Sequence, residues 1–163
     1  MDDDGRASFE ALCREEYVRV ARTAFLITGD REEASDVAQE AFARAYEHWR
    51  RVARMERPGA WVQRVAANLA ISWGRSQRVR RVFLERADLP EAVPDTAGDV
   101  DTMGALAALT PAQRAVVVLR YFADQSIEDT ARALHKRPGT VRALSSQGLR
   151  RLRSAMSLEG AEA

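Results

Sequence analysis

The sequence predicts an all-α protein: two small helical domains joined by a flexible acidic linker. Three observations predict it. Apolar residues recur at steps of three and four through most of the chain, with no β alternation and no internal repeat. Residues 87–102 break that pattern with Pro90, Pro94, Gly98, five acids and few large apolar groups, which is linker composition. Helix-start signals reappear on the far side, in Thr110-Pro111-Ala112-Gln113. The boundaries drawn from these signals are a domain over 8–80, a linker over 81–102 and a domain over 103–156.

In the first domain, Tyr17, Val20, Ala21, Ala24 and Phe25 share a helical face that Gly29 ends. Asp30, with Glu33 three residues on, reads as a capping pair. The next helix has the cleanest stripe, Val37, Ala38, Ala41, Phe42, Ala45, Tyr46 and Trp49, and carries Asp36, Gln39, Glu40 and Arg44 on its other face. Residues 50–57 form a basic connector. Pro58 suits the first turn of a further helix, in which Trp61, Val65, Leu69 and Trp73 follow at four-residue steps as the expected core stripe. In the second domain, Ala115, Val116, Leu119 and Phe122 form the stripe. Ser126 caps a short helix with Ile127, Ala131 and Leu134 inward. A tight turn at 135–137 leads to Pro138 and a last helix whose Val141, Ser145, Gly148, Leu149 and Leu152 face its neighbours. Asp2 to Asp4 and the tail after Met156 are expected to be without structure.

The chain has 163 residues, 46% hydrophobic and 30% charged, enough for globular cores in a soluble protein. No run approaches the ~20 apolar residues of a membrane span. The start Met1-Asp2-Asp3-Asp4 is acidic where a secretory signal would be basic, so a cytoplasmic location and no membrane insertion are expected. Cys13 is the single cysteine, which rules out an intramolecular disulfide, and its helix-forming surroundings suit a passive thiol. The net charge of +1 hides a pattern: residues 1–40 are net −6, 41–86 net +8, 87–110 net −5 and 111–163 net +4. Two basic blocks separated by an acidic one suggest two surfaces for a polyanion and a repelling spacer. All but one of the 25 basic residues are arginine, a bias that reads as a GC-rich genome.

The constellations of an enzyme are missing from the sequence. His48 and His135 are the only histidines, no Cys/His set has metal spacing, and there is no glycine-rich phosphate loop. No cofactor, metal or catalytic residue is expected. A short helix, a three-residue turn and a second helix over 126–153 have the spacing of a helix-turn-helix, whose second helix lies in the major groove. Arg137, Thr140, Arg142, Leu144, Gln147, Arg150 and Arg151 are expected to point away from the core. Arginine and threonine suit phosphates there, and Arg142 and Gln147 suit base edges.

At this point the residues resemble a known family. Residues 105–121, Ala-Leu-Ala-Ala-Leu-Thr-Pro-Ala-Gln-Arg-Ala-Val-Val-Val-Leu-Arg-Tyr, look like the opening of region 4 of extracytoplasmic-function sigma factors of the sigma-70 family. Residues 126–152, with Gly139-Thr140-Val141-Arg142 and Leu149-Arg150-Arg151-Leu152, look like its helix-turn-helix. Asp36-Val37-Ala38-Gln39-Glu40-Ala41-Phe42 resembles region 2.2, and Pro58-Gly59-Ala60-Trp61-Val62 through Val65-Ala66-Ala67-Asn68-Leu69-Ala70 resembles regions 2.3 and 2.4. The Leu-Ile-Thr-Gly-Asp step is similar to the actinobacterial SigE-family branch.

The resemblance implies a non-catalytic subunit that binds core RNA polymerase and directs it to promoters by recognising −10 and −35 elements. It implies polymerase contacts to the β′ clamp and the β flap, with Asp36, Gln39, Glu40 and Phe42 on the clamp. It implies −10 contacts from Arg54, Trp61, Arg64 and Asn68; Trp61 fits both a core stripe and a stacking surface for an extruded base. It implies −35 contacts from Arg137, Thr140, Arg142, Gln147, Arg150 and Arg151. Leu144 and Gln147 stand where the family commonly carries charge, and His135 where it has a turn glycine, so an altered −35 contact is expected. Many members are also held by an anti-sigma factor. Two other readings stay open from the residues alone: a regulator with a partner-sensing domain and a helix-turn-helix, and a helical interaction module without DNA function.

Overall fold

The first helix begins earlier than its apolar stripe. In a computed structural model of the chain, the Asp2 carboxylate accepts from the Gly5 amide at 3.0 Å and opens α1, Asp3–Thr28. The acidic start, expected to lack structure, is instead a capped first turn, where Asp3 and Asp4 meet the positive end of the helix dipole. The structure describes the backbone of residues 2–81 and 97–161 and the side chains of 2–73 and 102–157. Every regular element among them is helical. The chain divides into two units, Met1–Val93 and Pro94–Ala163.

In the first unit, Gly29 ends α1 with φ 73°, the left-handed conformation that only glycine adopts without cost. Asp30 then caps α2, Arg31–Glu47, by accepting from the Glu33 amide at 2.9 Å, as the capping pair predicts. A single turn, α3 (Trp49–Val52), runs into the basic connector, and α4 runs from Pro58 to Arg81. The three long helices pack on one another, and the buried faces are made largely of alanine: Ala21 and Ala24 on α1, Ala34, Ala38, Ala41 and Ala45 on α2, and Ala66, Ala67 and Ala70 on α4. Small side chains let helix backbones approach closely. Gly59, in the first turn of α4, leaves room for a side chain of α1: a Cβ there would lie 2.6 Å from Glu16 Oε1. The Glu16 carboxylate thus sits over the N-terminus of α4, where its charge is favoured. Deeper in, the buried Gln63 amide donates to Thr23 Oγ1, linking α4 to α1.

This packing overturns the stripe expected on α4. The fully buried positions are Val62, Gln63, Ala66, Ala67 and Ala70, whereas Trp61, Val65, Leu69 and Trp73 are only part-buried. The buried arc lies elsewhere on the helix: at 100° per residue, the centre of Val62, Gln63, Ala66, Ala67 and Ala70 is about 110° from the middle of the four-residue series. Tyr46 likewise leaves the expected core of α2. It is 50% exposed, its ring edge-on to Phe9 of α1 with centroids 5.2 Å apart.

In the second unit, α5 (Ala97–Ala107) precedes α6 (Pro111–Val117). Residues 97–102, read as linker, are therefore the first part of a helix; residues 82–96, the rest of that linker after Arg81, lie outside the described residues. Thr110 and Gln113 form the capping box the sequence predicts, each side chain bonded to the other's backbone amide. A π-helical turn, Val118–Phe122, follows α6 and shifts the helical phase, so Val117, Val118 and Leu119 are all buried while Phe122 is part-exposed. Next come α7 (Ile127–Leu134), capped by Ser126, and α8 (Pro138–Ala161), which continues past Met156 where no structure was expected. α8 packs closely on α6 at Gly148: a Cβ there would lie 2.8 Å from Val117 Cγ2.

Because Val117 is itself buried, Gly148→Val is expected to force α8 off α6 and to destabilise the second unit by about 1–3 kcal/mol. All three tryptophans, Trp49, Trp61 and Trp73, lie in the first unit. Chemical unfolding of the full chain should therefore show an earlier far-ultraviolet circular dichroism transition with the tryptophan fluorescence transition unmoved.

Candidate functional site

Three polar faces stand out, two on the first unit and one on the second. On α2, Asp36, Gln39 and Glu40 are exposed at steps of three and one, and Glu32 and Glu47 extend the same acidic side. Arg44 pairs with Glu40 at 2.8 Å. Gln39 Nε2 donates to Ser35 Oγ at 3.4 Å, and Ser35 also meets the Tyr17 hydroxyl at 3.4 Å, which anchors the polar face to α1. Phe42 belongs elsewhere. It is 6% exposed and stacked on Tyr17 at 6.0 Å between centroids, so it braces α2 from behind. The surface left for a partner is Asp36, Gln39 and Glu40.

The second face runs along α4. Trp61, Arg64 and Asn68 recur at i, i+3 and i+7, which puts them together on the side opposite Ala66 and Ala70. Asn68 is exposed; Trp61 and Arg64 are part-buried. Just before this strip, α3 and the turn after it expose Arg50, Arg51, Arg54 and Arg57. All four residues predicted for this site thus fall on α4's outer strip or in the turn that leads into it. An indole with cations around it offers a stacking surface and an attraction for a strand of nucleic acid.

The third face is the outer side of α8. A tight turn sets its start: His135 ends α7 with φ 52° and ψ 43°, a left-handed residue where glycine is the usual solution. Arg120 steadies the approach to α7 by donating to the Gln125 carbonyl at 2.5 Å, and Tyr121 meets Ser145 of α8 at 3.2 Å. Arg137, Thr140, Arg142, Gln147, Arg150 and Arg151 are all exposed, as expected. Leu144 is not: it is part-buried and faces the flank of the core, so it presents no surface in place of a charge. The outermost line of the helix is Gly139, Ala143, Ser146 and Arg150, at steps of four, three and four. Arg142 and Arg153 flank it on one side; Thr140, Gln147 and Arg151 flank it on the other. Ala143, Ser146 and Arg153 had been overlooked because they carry no motif. Their helical phase relative to buried Val141, Ser145 and Gly148 would have found them. Gln147, Arg150, Arg151 and Ser154 also border an open groove of about 600 Å³ against Gln113 and Ala108.

Other chemistry is sparse. Among the described residues no three His, Cys, Asp or Glu side chains gather as metal ligands, and no helix is long and apolar enough to cross a membrane. Burial pushes the Cys13 thiol above its usual value, with Glu10 adding to the effect, so little reactive thiolate forms. Burial lowers the Arg114 guanidinium, which lies against the Met103 sulfur at 3.5 Å, away from the exposed arginines of α8.

Comparison with known proteins agrees with this arrangement. Sigma-70 region 2 matches residues 12–80 and sigma-70 region 4 matches residues 105–154. The RNA polymerase sigma-E factor of Streptomyces coelicolor is 35% identical over 90% of this chain and 88% of its own length. The ECF RNA polymerase sigma factor SigL of Mycobacterium tuberculosis is 34% identical over the same shares, 90% and 88%. The sigma factor RpoE of Bartonella quintana, solved in complex with the anti-sigma factor NepR, has a similar fold, with a TM-score of 0.68 at 21% identity over 92% of this chain and 97% of that one. Two regions in family order, and relatives above 30% identity along nearly the whole chain, place this protein in the sigma-70 family, as an RNA polymerase sigma factor of the extracytoplasmic-function group.

Proposed function

We propose that this sigma factor divides its work among the three faces: α2 binds the β′ clamp of core polymerase, α4 and the turn before it engage the opened −10 element, and α8 reads the −35 element as duplex. The β flap is a further polymerase contact of the second unit, and the cytoplasm, where the polymerase acts, is its place of work. The domains 8–80 and 103–156 correspond to the core-binding and −10 part and to the −35 part. The observation that carries the proposal is the separation of charge: an exposed acidic side on α2, and arginine-bearing faces on α4 and α8, the first two within the residues that match region 2 and the third within those that match region 4. The acidic side pairs with basic groups of a protein partner, while the two basic faces gain by releasing counterions from DNA. Charges and stacking do all the work, with no covalent step.

At the −35 face, the small outermost residues Gly139, Ala143 and Ser146 let α8 lie close to the floor of the major groove. Ala143 offers a methyl group suited to a thymine methyl, and Ser146 a hydroxyl for a base edge. Arg142, Arg150, Arg151 and Arg153 grip phosphates on either side.

Removing the acidic side tests the first assignment. Asp36→Ala with Glu40→Ala is expected to weaken association with core polymerase about tenfold or more, with the fold intact, since an exposed i,i+4 pair such as Glu40–Arg44 contributes only about 0.3–0.5 kcal/mol. Co-purification with core enzyme at wild-type strength would overturn it. The double role open to Trp61 is separated by Trp61→Ala. As a stacking platform it loses about tenfold or more in promoter opening by holoenzyme, while the fold loses well under the ~3–5 kcal/mol of a fully buried tryptophan. Full core-scale destabilisation would return Trp61 to the core. For the −35 face, holoenzyme binding to promoter DNA is measured as salt rises. Arg150→Ala with Arg151→Ala should reduce the log–log salt slope by about 2; an unchanged slope sinks that phosphate assignment.

A further inference from the structure

We infer that Gln113, a buried residue of α6, sets the hydrogen-bonding sense of Gln147 on α8 and makes it a donor toward the base it meets. The inference rests on the reading of α8 as the −35 helix. Gln113 is 5% exposed, and its amide is held at both ends. Its Oε1 accepts from the Thr110 amide at 3.2 Å as its half of the capping box. With the oxygen committed, the end that reaches α8 is Nε2, which donates to Gln147 Oε1 at 3.5 Å. The oxygen of Gln147 is thereby turned inward and its amide nitrogen outward.

The packing beside this pair keeps it in register. Gly148, the neighbour of Gln147, brings α8 so near α6 that a Cβ there would also lie 3.6 Å from Gln113 Cβ. A glutamine with both ends free pairs with adenine, accepting from the N6 amino group and donating to N7. One with only its nitrogen presented is matched best by edges rich in acceptors, the N7 and O6 of guanine or the O4 of thymine; at adenine it reaches N7 alone, and the amino groups of adenine and cytosine are left without an acceptor. Gln113 touches no DNA in this arrangement; it is a positioning residue acting through Gln147.

The experiment is promoter selection by holoenzyme, reconstituted from core polymerase and the full chain, on a library randomised across the −35 element. Wild-type protein is expected to favour guanine or thymine at one position, and Gln147→Ala to lose that preference there alone. Gln113→Glu is the decisive variant. A glutamate at this place preserves the capping box and stays ionised beside the helix N-terminus, yet it can only accept. Gln147 must then turn its nitrogen inward and its oxygen outward, and the preference at that position is expected to move to adenine or cytosine by about fivefold or more. Gln113→Met, which has no strong hydrogen-bonding atom, is expected to level the preference, and it carries the test if the glutamate variant does not fold. A purely structural Gln113 would lower stability and overall binding without exchanging one base for another. Wild-type base preference in both Gln113 variants, with the preference lost in Gln147→Ala, would overturn the inference. No change at any position in Gln147→Ala would instead remove the −35 reading of Gln147, and the inference with it.

Discussion

The close approach of α1, α2 and α4 through their alanines is the constraint from which the first unit follows. Where an alanine of one helix faces its neighbour there is no room for a bulky group between them, so large side chains next to those positions lie on the flanks, while Leu26, Phe25 and Phe42 fill the core elsewhere. Trp61 and Tyr46 are placed by that exclusion. The Gln63–Thr23 bond and the Glu16 carboxylate over Gly59 then fix the pairing of α1 with α4. An alanine core buries less apolar area per residue than a leucine core and contributes less through the hydrophobic effect. Specific polar links of this kind therefore matter more to how its helices are aligned.

The second unit solves a different problem. Its helices α6 and α7 are short, and short helices are marginal without caps and tertiary packing. Thr110, Ser126 and Gln113 supply caps, Gly148 lets α8 lie against α6, and the π-helical turn shifts the helical phase within a run of five buried residues, 115–119. What remains outside is one side of α8, whose centre is small from Gly139 to Ser146 and ends at Arg150, with further arginines on its borders. A helix of that profile enters a major groove without steric cost and is held there by its edges.

For a sigma factor this division has a functional consequence. Under the proposed assignment each contact is modest alone: an acidic face for a protein, a stacking strip for a separated strand, and a basic helix for a duplex. Joined on one chain, they act together, because engagement of one raises the effective concentration of the others. The specificity of initiation then lies in simultaneous fit to polymerase and to two promoter elements.

By itself the sequence determined the helical class, the two-part organisation, the caps at Asp30, Thr110 and Ser126, and the exposure of Asp36, Arg142 and Arg150. These follow from local rules: periodicity, side-chain caps and charge, each readable within a turn or two. Tertiary structure alone decided which residues within a stripe are buried. Trp61 and Phe42 look alike in sequence, large aromatics at helical spacing, yet Phe42 stacks on Tyr17 in the core and Trp61 lies on the outer strip. The choice depends on which neighbouring helix comes near and on how small its facing side chains are, and no local pattern records that. The link from Gln113 to Gln147, 34 residues apart, is of the same kind. The capping box was legible in the sequence, but the partner of its free amide became visible only once Gly148 had brought α8 against α6.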